Sequence, residues 1–188
     1  DNVEASFRSV LNRDEEELEQ VEKTEEYLDF LNKEISLHVS RLITYETNEK
    51  ASAVVSSFFT ISGNIERIGD HADNLAGYTR MLNKRNISFT GVPHDELSAM
   101  RDICLEGIND LLSLNAGNVE WLAAVSALEP GIDDMTSDYR RTRLEPVRDG
   151  ECSDEACILY SELLTDFERI GDHILNIAQE MAKVQEHI

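Results

Sequence analysis

The sequence predicts an all-α fold of two tandem three-helix bundles, six helices in all, and three observations predict it. The run Glu-Arg-Ile-Gly-Asp-His stands at residues 66–71 and again, unchanged, at 168–173. Apolar residues recur at alternating spacings of three and four over long stretches, the period of helices packed nearly parallel. Strand-formers are sparse, and the 188 residues hold only 3 prolines and 9 glycines, while Glu, Leu, Ala and Arg, all good helix formers, are plentiful.

The first helix ends at a polar break over Asn12–Asp14, with Asp14 expected to cap the second. The second carries the stripe Leu18, Val21, Glu25, Leu28, Asn32, Ile35, Val39, Leu42 and runs to a break at Thr47–Asn48. The third carries Ile61, Ile65, Ile68, Ala72, Leu75, Thr79 and Leu82 as a core-facing seam. Residues 87–93 contain Gly91 and Pro93 and no stripe, so they read as a connection between a first repeat, 1–86, and a second, 94–188. The fourth helix runs from about His94 to Leu114, and Asn118 is expected to cap the fifth after a break at Asn115–Asn118. The fifth places Leu122, Val125, Glu129 and Ile132 where the second places Leu18, Val21, Glu25 and Leu28. Pro130 is expected to bend or break it, because proline cannot donate the intrahelical hydrogen bond. After Asp149–Gly150 the sixth helix carries Tyr160, Leu163, Phe167, Ile170, Ile174, Ile177, Met181, Val184 and Ile188.

A net charge of −21 excludes several function classes. So acidic a surface repels phosphate backbones and anionic lipid, so no nucleic-acid partner is expected, and cations and basic protein patches are the natural partners. The three cysteines, Cys104, Cys152 and Cys157, are too few and too scattered for a disulfide framework or a cysteine-rich zinc site, so reduced thiols are expected. No stretch reads as a membrane span or a signal peptide: the richest apolar run, Ala51 to Ile65, is broken by seven polar or small residues from Ser52 to Asn64.

The chemistry concentrates in acids. Glu66 and Asp70 are four apart and share a helix face, as do Glu168 and Asp172; Asn74 and Asn176 continue the two rows. Glu25 and Glu129 interrupt apolar stripes, each with an aspartate four residues on, Asp29 and Asp133. Carboxylates drawn into a seam need a cation, protons or arginine among them, because an unpaired buried charge is very costly. Two metal sites are therefore expected, Glu25, Asp29, Glu66 and Asp70 in one half and Glu129, Asp133, Glu168 and Asp172 in the other. A solvated or arginine-paired acidic face is the alternative, with Arg67 and Arg169 at hand. Oxygen donors suit hard cations such as iron, manganese, magnesium or calcium, with zinc also to be tested. His71 and His173 follow the aspartates directly, which turns them about 100° from the acid row, so they read as supporting or surface groups. Gly69 and Gly171 lie mid-helix at a cost of about 1 kcal/mol each, so either a neighbouring helix or a bound group approaches the backbone there.

Enzyme signatures fail on spacing. Ferritin-like di-iron centres need Glu-x-x-His on facing helices, but Glu66 and Glu168 are followed three on by Gly69 and Gly171. No nucleophile elbow, P-loop or dinucleotide fingerprint is present. No catalytic residue is assigned.

The motif Glu-Arg-Ile-Gly-Asp-His-Ala-Asp-Asn-Leu, its second copy, and the fainter pairs Glu25/Asp29 and Glu129/Asp133 resemble the acidic motif pairs of PhoU-type proteins. The resemblance covers nearly the whole chain. It implies two three-helix bundles, multinuclear metal clusters on the bundle surfaces and regulation of inorganic phosphate uptake. It also implies a membrane phosphate transporter as partner, in cis or in trans; a sensor kinase and a homodimer stay open. The first helix has only Asp1 to Leu11 available and reads as truncated from a longer polypeptide. That favours a cytoplasmic domain tethered to a sodium–phosphate cotransporter over a free-standing adaptor between a phosphate transporter and a kinase. A metal-free helical interaction module is the third reading.

Overall fold

The structure is a computed structural model that describes residues 1–16, 18–45, 48–113, 118–148 and 153–187, without the side chains of 44 and 143–148. The described residues form six α-helices and no strand: α1 (Asn2–Asn12), α2 (Leu18–Tyr45), α3 (Glu49–Arg85), α4 (Val92–Leu111), α5 (Val119–Arg148) and α6 (Asp154–His187). The all-α expectation holds.

Local chemistry explains several helix ends. Arg13 adopts a left-handed conformation with φ 56° and closes α1, its amide donating to the Ser9 carbonyl. The Asn48 side chain caps α3, accepting from the amides of Lys50 at 2.9 Å and Ala51 at 3.3 Å. Asn86, at φ 54°, ends α3, and Pro93 enters the first turn of α4, where its missing N–H is no loss. Asn118 accepts from the Trp121 amide at 2.7 Å, as expected of a cap. Asp14 does not cap α2; it accepts from the Glu16 amide at 2.9 Å in the turn before it. The breaks at Thr47, Asn115–Gly117 and Asp149–Gly150, together with Cys152 and Ile188, lie outside the described residues.

Of the bend or break expected at Pro130, the break is corrected. α5 stays helical through Pro130 and Gly131. Pro130 lies on the exposed face, so its ring needs no room in the core, and water can take up the Ser126 carbonyl that the proline leaves without a donor.

Each repeat packs its three helices on one another, and the repeats join through α3 against α6 and α1 against α4. One large apolar core serves both, with a smaller cluster of Leu18, Val21 and Ala76 beside it. Phe7 of α1 packs on Phe167 of α6 with ring centroids 4.9 Å apart, and Leu75, Met100, Ile132 and Ile170 belong to the same cluster. The third-helix seam is buried from Ala72 to Leu82, but Ile65 is 43% exposed. The cause is where α1 lies. It runs parallel to α3, with Ser9 Oγ 2.7 Å from Thr79 Oγ1 and Arg13 Nε donating to Asn83 Oδ1 at 3.0 Å, and so flanks only the C-terminal part of α3. In the second repeat the first half of α4 covers the equivalent face of α6, burying Leu97 and Met100, and Tyr160 donates to Glu96 at 2.6 Å. The first repeat instead leaves an open apolar groove of about 650 Å³, lined by Leu28, Ile61, Ile65, Ile68, Leu105 and Ile108 among others.

Candidate metal-binding site

The eight predicted carboxylates come from the two long helix pairs, α2 with α3 and α5 with α6. Their register is fixed by apolar contact at the two mid-helix glycines. A methyl group on Gly69 would lie 2.7 Å from Leu28 Cδ1, and one on Gly171 would lie 2.7 Å from Ile132 Cδ1. A neighbouring helix, rather than a bound group, occupies the space both glycines leave open. Leu28 stands between Glu25 and Asp29 in sequence, and Ile132 between Glu129 and Asp133, so each contact lies at the middle of its acid quartet.

In the second half Glu129, Asp133 and Asp172 bring carboxylate oxygens to within 4.8 Å of one another. Burial, then repulsion from Asp133 and Asp172, holds the Glu129 carboxyl above the usual carboxylate range. Glu168 is drawn aside: Arg140 Nη1 reaches its Oε2 at 3.3 Å while Nη2 donates to Thr165 at 2.6 Å. Arg169 donates to Asp172 Oδ2 at 2.9 Å, so arginine offsets part of this charge.

In the first half the four acids adjoin without converging as closely. Glu25 is raised by burial and by Asp70, Asp73 and Asp29; Glu66 by burial and by Asp70 and Asp29; Asp70 by burial and by Asp29. Lys33 holds Asp29 at 2.8 Å. Glu25 and Glu66 are half-buried, whereas Asp70 and Asp133 are exposed. The quartets therefore lie at the bundle surface beside the seams, not inside them as the stripe at Glu25 implied, because the helix rim lets long carboxylates reach water.

Four contributors escaped the sequence reading. Asp73 sits one turn beyond Asp70, repels Glu25, and has a buried Oδ1 with no hydrogen-bond partner. Its signal was its place on the Glu66/Asp70 face, but the second repeat has Leu175 there, so a reading led by repetition passed over it. Arg140 gave no signal at all. Asn64 and Asp166 are the other two. Of the predicted supporting groups, the histidines and asparagines turn away from the acids and across the α3–α6 contact, while the two arginines stay beside them. His71 Nδ1 lies 2.6 Å from Asp166 Oδ1, which also accepts from Asn74 at 3.1 Å. His173 Nδ1 lies 2.8 Å from Asn64 Oδ1, and Asn176 donates to the same oxygen at 3.4 Å. The two imidazoles stack at 5.5 Å. Arg67 is exposed beside Glu66 and Asp70 and lowers both. Cys104 and Cys157 are buried, and burial pushes the Cys104 thiol up to about 12.

Duplicated helices around a shared core, with an acid quartet on each repeat, define a six-helix protein whose long helices display paired acidic motifs. The chain belongs to the PhoU domain family, which matches residues 1–79 and 97–181. It is 25% identical over 187 residues to "Phosphate-specific transport system accessory protein PhoU homolog 1" of Thermotoga maritima, spanning 98% of this chain and 80% of that protein. A PhoU homolog of Xylella fastidiosa with the same accessory-protein description is 26% identical over 184 residues, or 95% of this chain and 75% of its own length. Among solved structures, PhoU from Pseudomonas aeruginosa superposes with a TM-score of 0.89 at 16% identity, covering 100% of this chain and 90% of that one. The phosphate transport system regulatory protein PhoU from Streptococcus pneumoniae gives 0.84 at 17% identity, over 98% and 86%.

Proposed function

We propose that this chain is an accessory regulator of inorganic phosphate uptake that acts on a membrane phosphate transporter in trans and couples it to a sensor kinase. The observation that carries the reading is the match of both repeats to the PhoU domain. The adaptor reading has more support than the tethered one. The relatives are described as accessory proteins of phosphate-specific transport, and the match takes up 80% of the first, which leaves too little for the many spans of a cotransporter. No helix among the described residues is long and apolar enough to cross a membrane.

We further propose that the acid quartets hold metal cations. The donor set fits: Glu129, Asp133 and Asp172 supply oxygens at a spacing one cation can bridge, and burial with mutual repulsion makes a cation favourable there. An all-oxygen set fits iron, manganese or magnesium better than zinc, which prefers nitrogen and sulfur. A bound cation would supply positive charge to an acidic face, and a domain can bias a transporter only by contacting its states differently.

Deleting the gene should change phosphate uptake at unchanged transporter abundance, and Asp70→Asn with Asp172→Asn should shift uptake in the same direction. Unchanged uptake in the deletion strain would overturn the regulatory reading. Unchanged uptake in the substituted strain alone would overturn only the role of the carboxylates.

A further inference from the structure

Glu168 is the odd member of its quartet. Glu129, Asp133 and Asp172 bring their oxygens within 4.8 Å of one another, and Glu168 does not join them, although it stands one turn from Asp172 on the same face of α6. What separates it is Arg140. This residue lies seven positions beyond Asp133 on α5, on the same face and about 10 Å further along the axis. Its guanidinium spans two groups of α6: Nη1 lies 3.3 Å from Glu168 Oε2, and Nη2 donates to Thr165 Oγ1 at 2.6 Å. The two helices run antiparallel here, with Ile132 against Gly171 and Arg140 against Thr165. The pull on Glu168 is therefore directed along the seam, away from Asp172.

Two comparisons set this contact apart from an ordinary ion pair. The first is with Arg169, which donates to Asp172 at 2.9 Å. That pair lies within one helix, three residues apart, with the arginine more than half exposed, and such pairs hold their geometry weakly. Arg140 and Glu168 are less exposed, at 32% and 26%. The planar fork of Arg140 is also fixed at a second point, Thr165, whose own hydroxyl donates to the Ser161 carbonyl at 3.0 Å. The second comparison is with the first repeat. The offsets that carry Glu25 to Glu129 and Glu66 to Glu168 carry Ser36 to Arg140 and Gly63 to Thr165, so that half has neither the fork nor its anchor. Glu66 is accordingly left among its acids, raised by burial and by Asp70 and Asp29.

We propose that Arg140 is a positioning residue which, acting through Glu168, holds the second-half site to three carboxylates. A hard cation takes six or more oxygens, so a site limited in this way keeps positions open to water or to another oxygen donor. The inference rests on the metal reading above and adds to it which acids belong to the site and what excludes the fourth.

Calorimetric titration of metal-free protein with manganese(II) tests it, with every protein carrying Asp70→Asn so that the first-half acids contribute least. On that background Arg140→Gln should tighten manganese binding about tenfold, because it removes a positive charge and releases a carboxylate. Glu168→Gln alone should weaken binding only mildly. The same change added to Arg140→Gln should weaken it about tenfold, since Glu168 then belongs to the site and the two positions are coupled. Thr165→Val keeps the charge and removes only the anchor, so it should move affinity the same way as Arg140→Gln and by less, and it carries the test if Arg140→Gln fails to fold by circular dichroism. An arginine that acted by its charge alone would give additive effects, with Glu168→Gln costing the same whether or not Arg140 is present. Additivity, or unchanged affinity in Arg140→Gln, would overturn the proposal and leave the metal reading standing. Absence of manganese binding in every protein, the wild-type chain included, would overturn the metal reading and this inference with it.

Discussion

Asp166 stands in the second repeat where Asn64 stands in the first, 102 residues apart at equivalent places, and each accepts a hydrogen bond from the histidine of the opposite repeat. The duplication is thus uneven at its centre. His71 faces a buried carboxylate, and His173 faces a neutral amide.

His173 should behave as a neutral imidazole. Burial, then His71, pushes it down to about 4. Between its ordinary value near 6.5 and about 4 the unfolded chain binds the proton and the folded one does not, so this residue's contribution to stability is present above that window and is lost as pH falls through it. Asn64→Asp should raise the His173 value, since a carboxylate partner favours the charged ring. NMR titration of the imidazole in both proteins checks this; an unmoved His173 would show that Asn64 does not set its state.

Asp166→Ala should cost more than Asp166→Asn. The alanine leaves the half-buried donor of His71 without an acceptor, at about 1–3 kcal/mol, while the exposed Asn74 amide can turn to water. The amide keeps one acceptor and loses only the charge assistance, about 1–2 kcal/mol. Denaturant midpoints for the two variants should rank in that order.

The two glycines should respond unequally to alanine. Either substitution gains about 1 kcal/mol of helix propensity. At Gly69 the obstructing Leu28 borders the open groove and can swing away, so Gly69→Ala should be neutral or slightly stabilising. Ile132 is 2% exposed and has nowhere to move, so Gly171→Ala should be destabilising by about 1–2 kcal/mol, the range of an overpacked core. Equal thermal shifts in the two variants would contradict this account.

Metal should bind more tightly to the second half. Three acids already converge there, so Asp172→Asn should reduce bound iron or manganese more than Asp70→Asn, with Glu168→Gln mildest because Arg140 already holds that carboxylate. Elemental analysis after dialysis and calorimetry of metal-free protein measure the order. Affinity should fall as pH is lowered, because the raised carboxyls of Glu25, Glu66, Asp70 and Glu129 then hold protons that a cation must displace. Absence of any thermal stabilisation by iron, manganese, zinc or magnesium would remove the metal reading, since a ligand that binds only the folded state must stabilise it.

Much of this was legible in the sequence because helical period and duplication are local signals. The stripes gave the helices, and Asn48, Asn86 and Asn118 marked their ends. Burial along the stripes was less legible: Ile61 and Ile65 obey the period, but whether α1 reaches them is a tertiary fact. Pro130 misled for a related reason, since its tolerance depends on facing water. The acid quartets could be listed from spacing. Which of them converge depended on Arg140, a residue with no motif of its own. The histidines could be placed off the acid row, but their partners lie about a hundred residues away.

The contact of Leu28 at Gly69, repeated by Ile132 at Gly171, has a consequence for ligand geometry. Four like charges on two adjacent helices would ease their strain by sliding one helix along the other, and a slip of one turn, about 5.4 Å, would leave only one acid of each row facing another. A side chain seated in a gap left by a missing Cβ works as a key in a keyway and opposes that slip, more firmly at the enclosed Ile132 than at Leu28, which borders the groove. The distance between the two rows of acids is therefore set by hydrocarbon at their centre and is already in place before any cation arrives. Selectivity between cations should then depend on this steric setting as much as on the acids themselves.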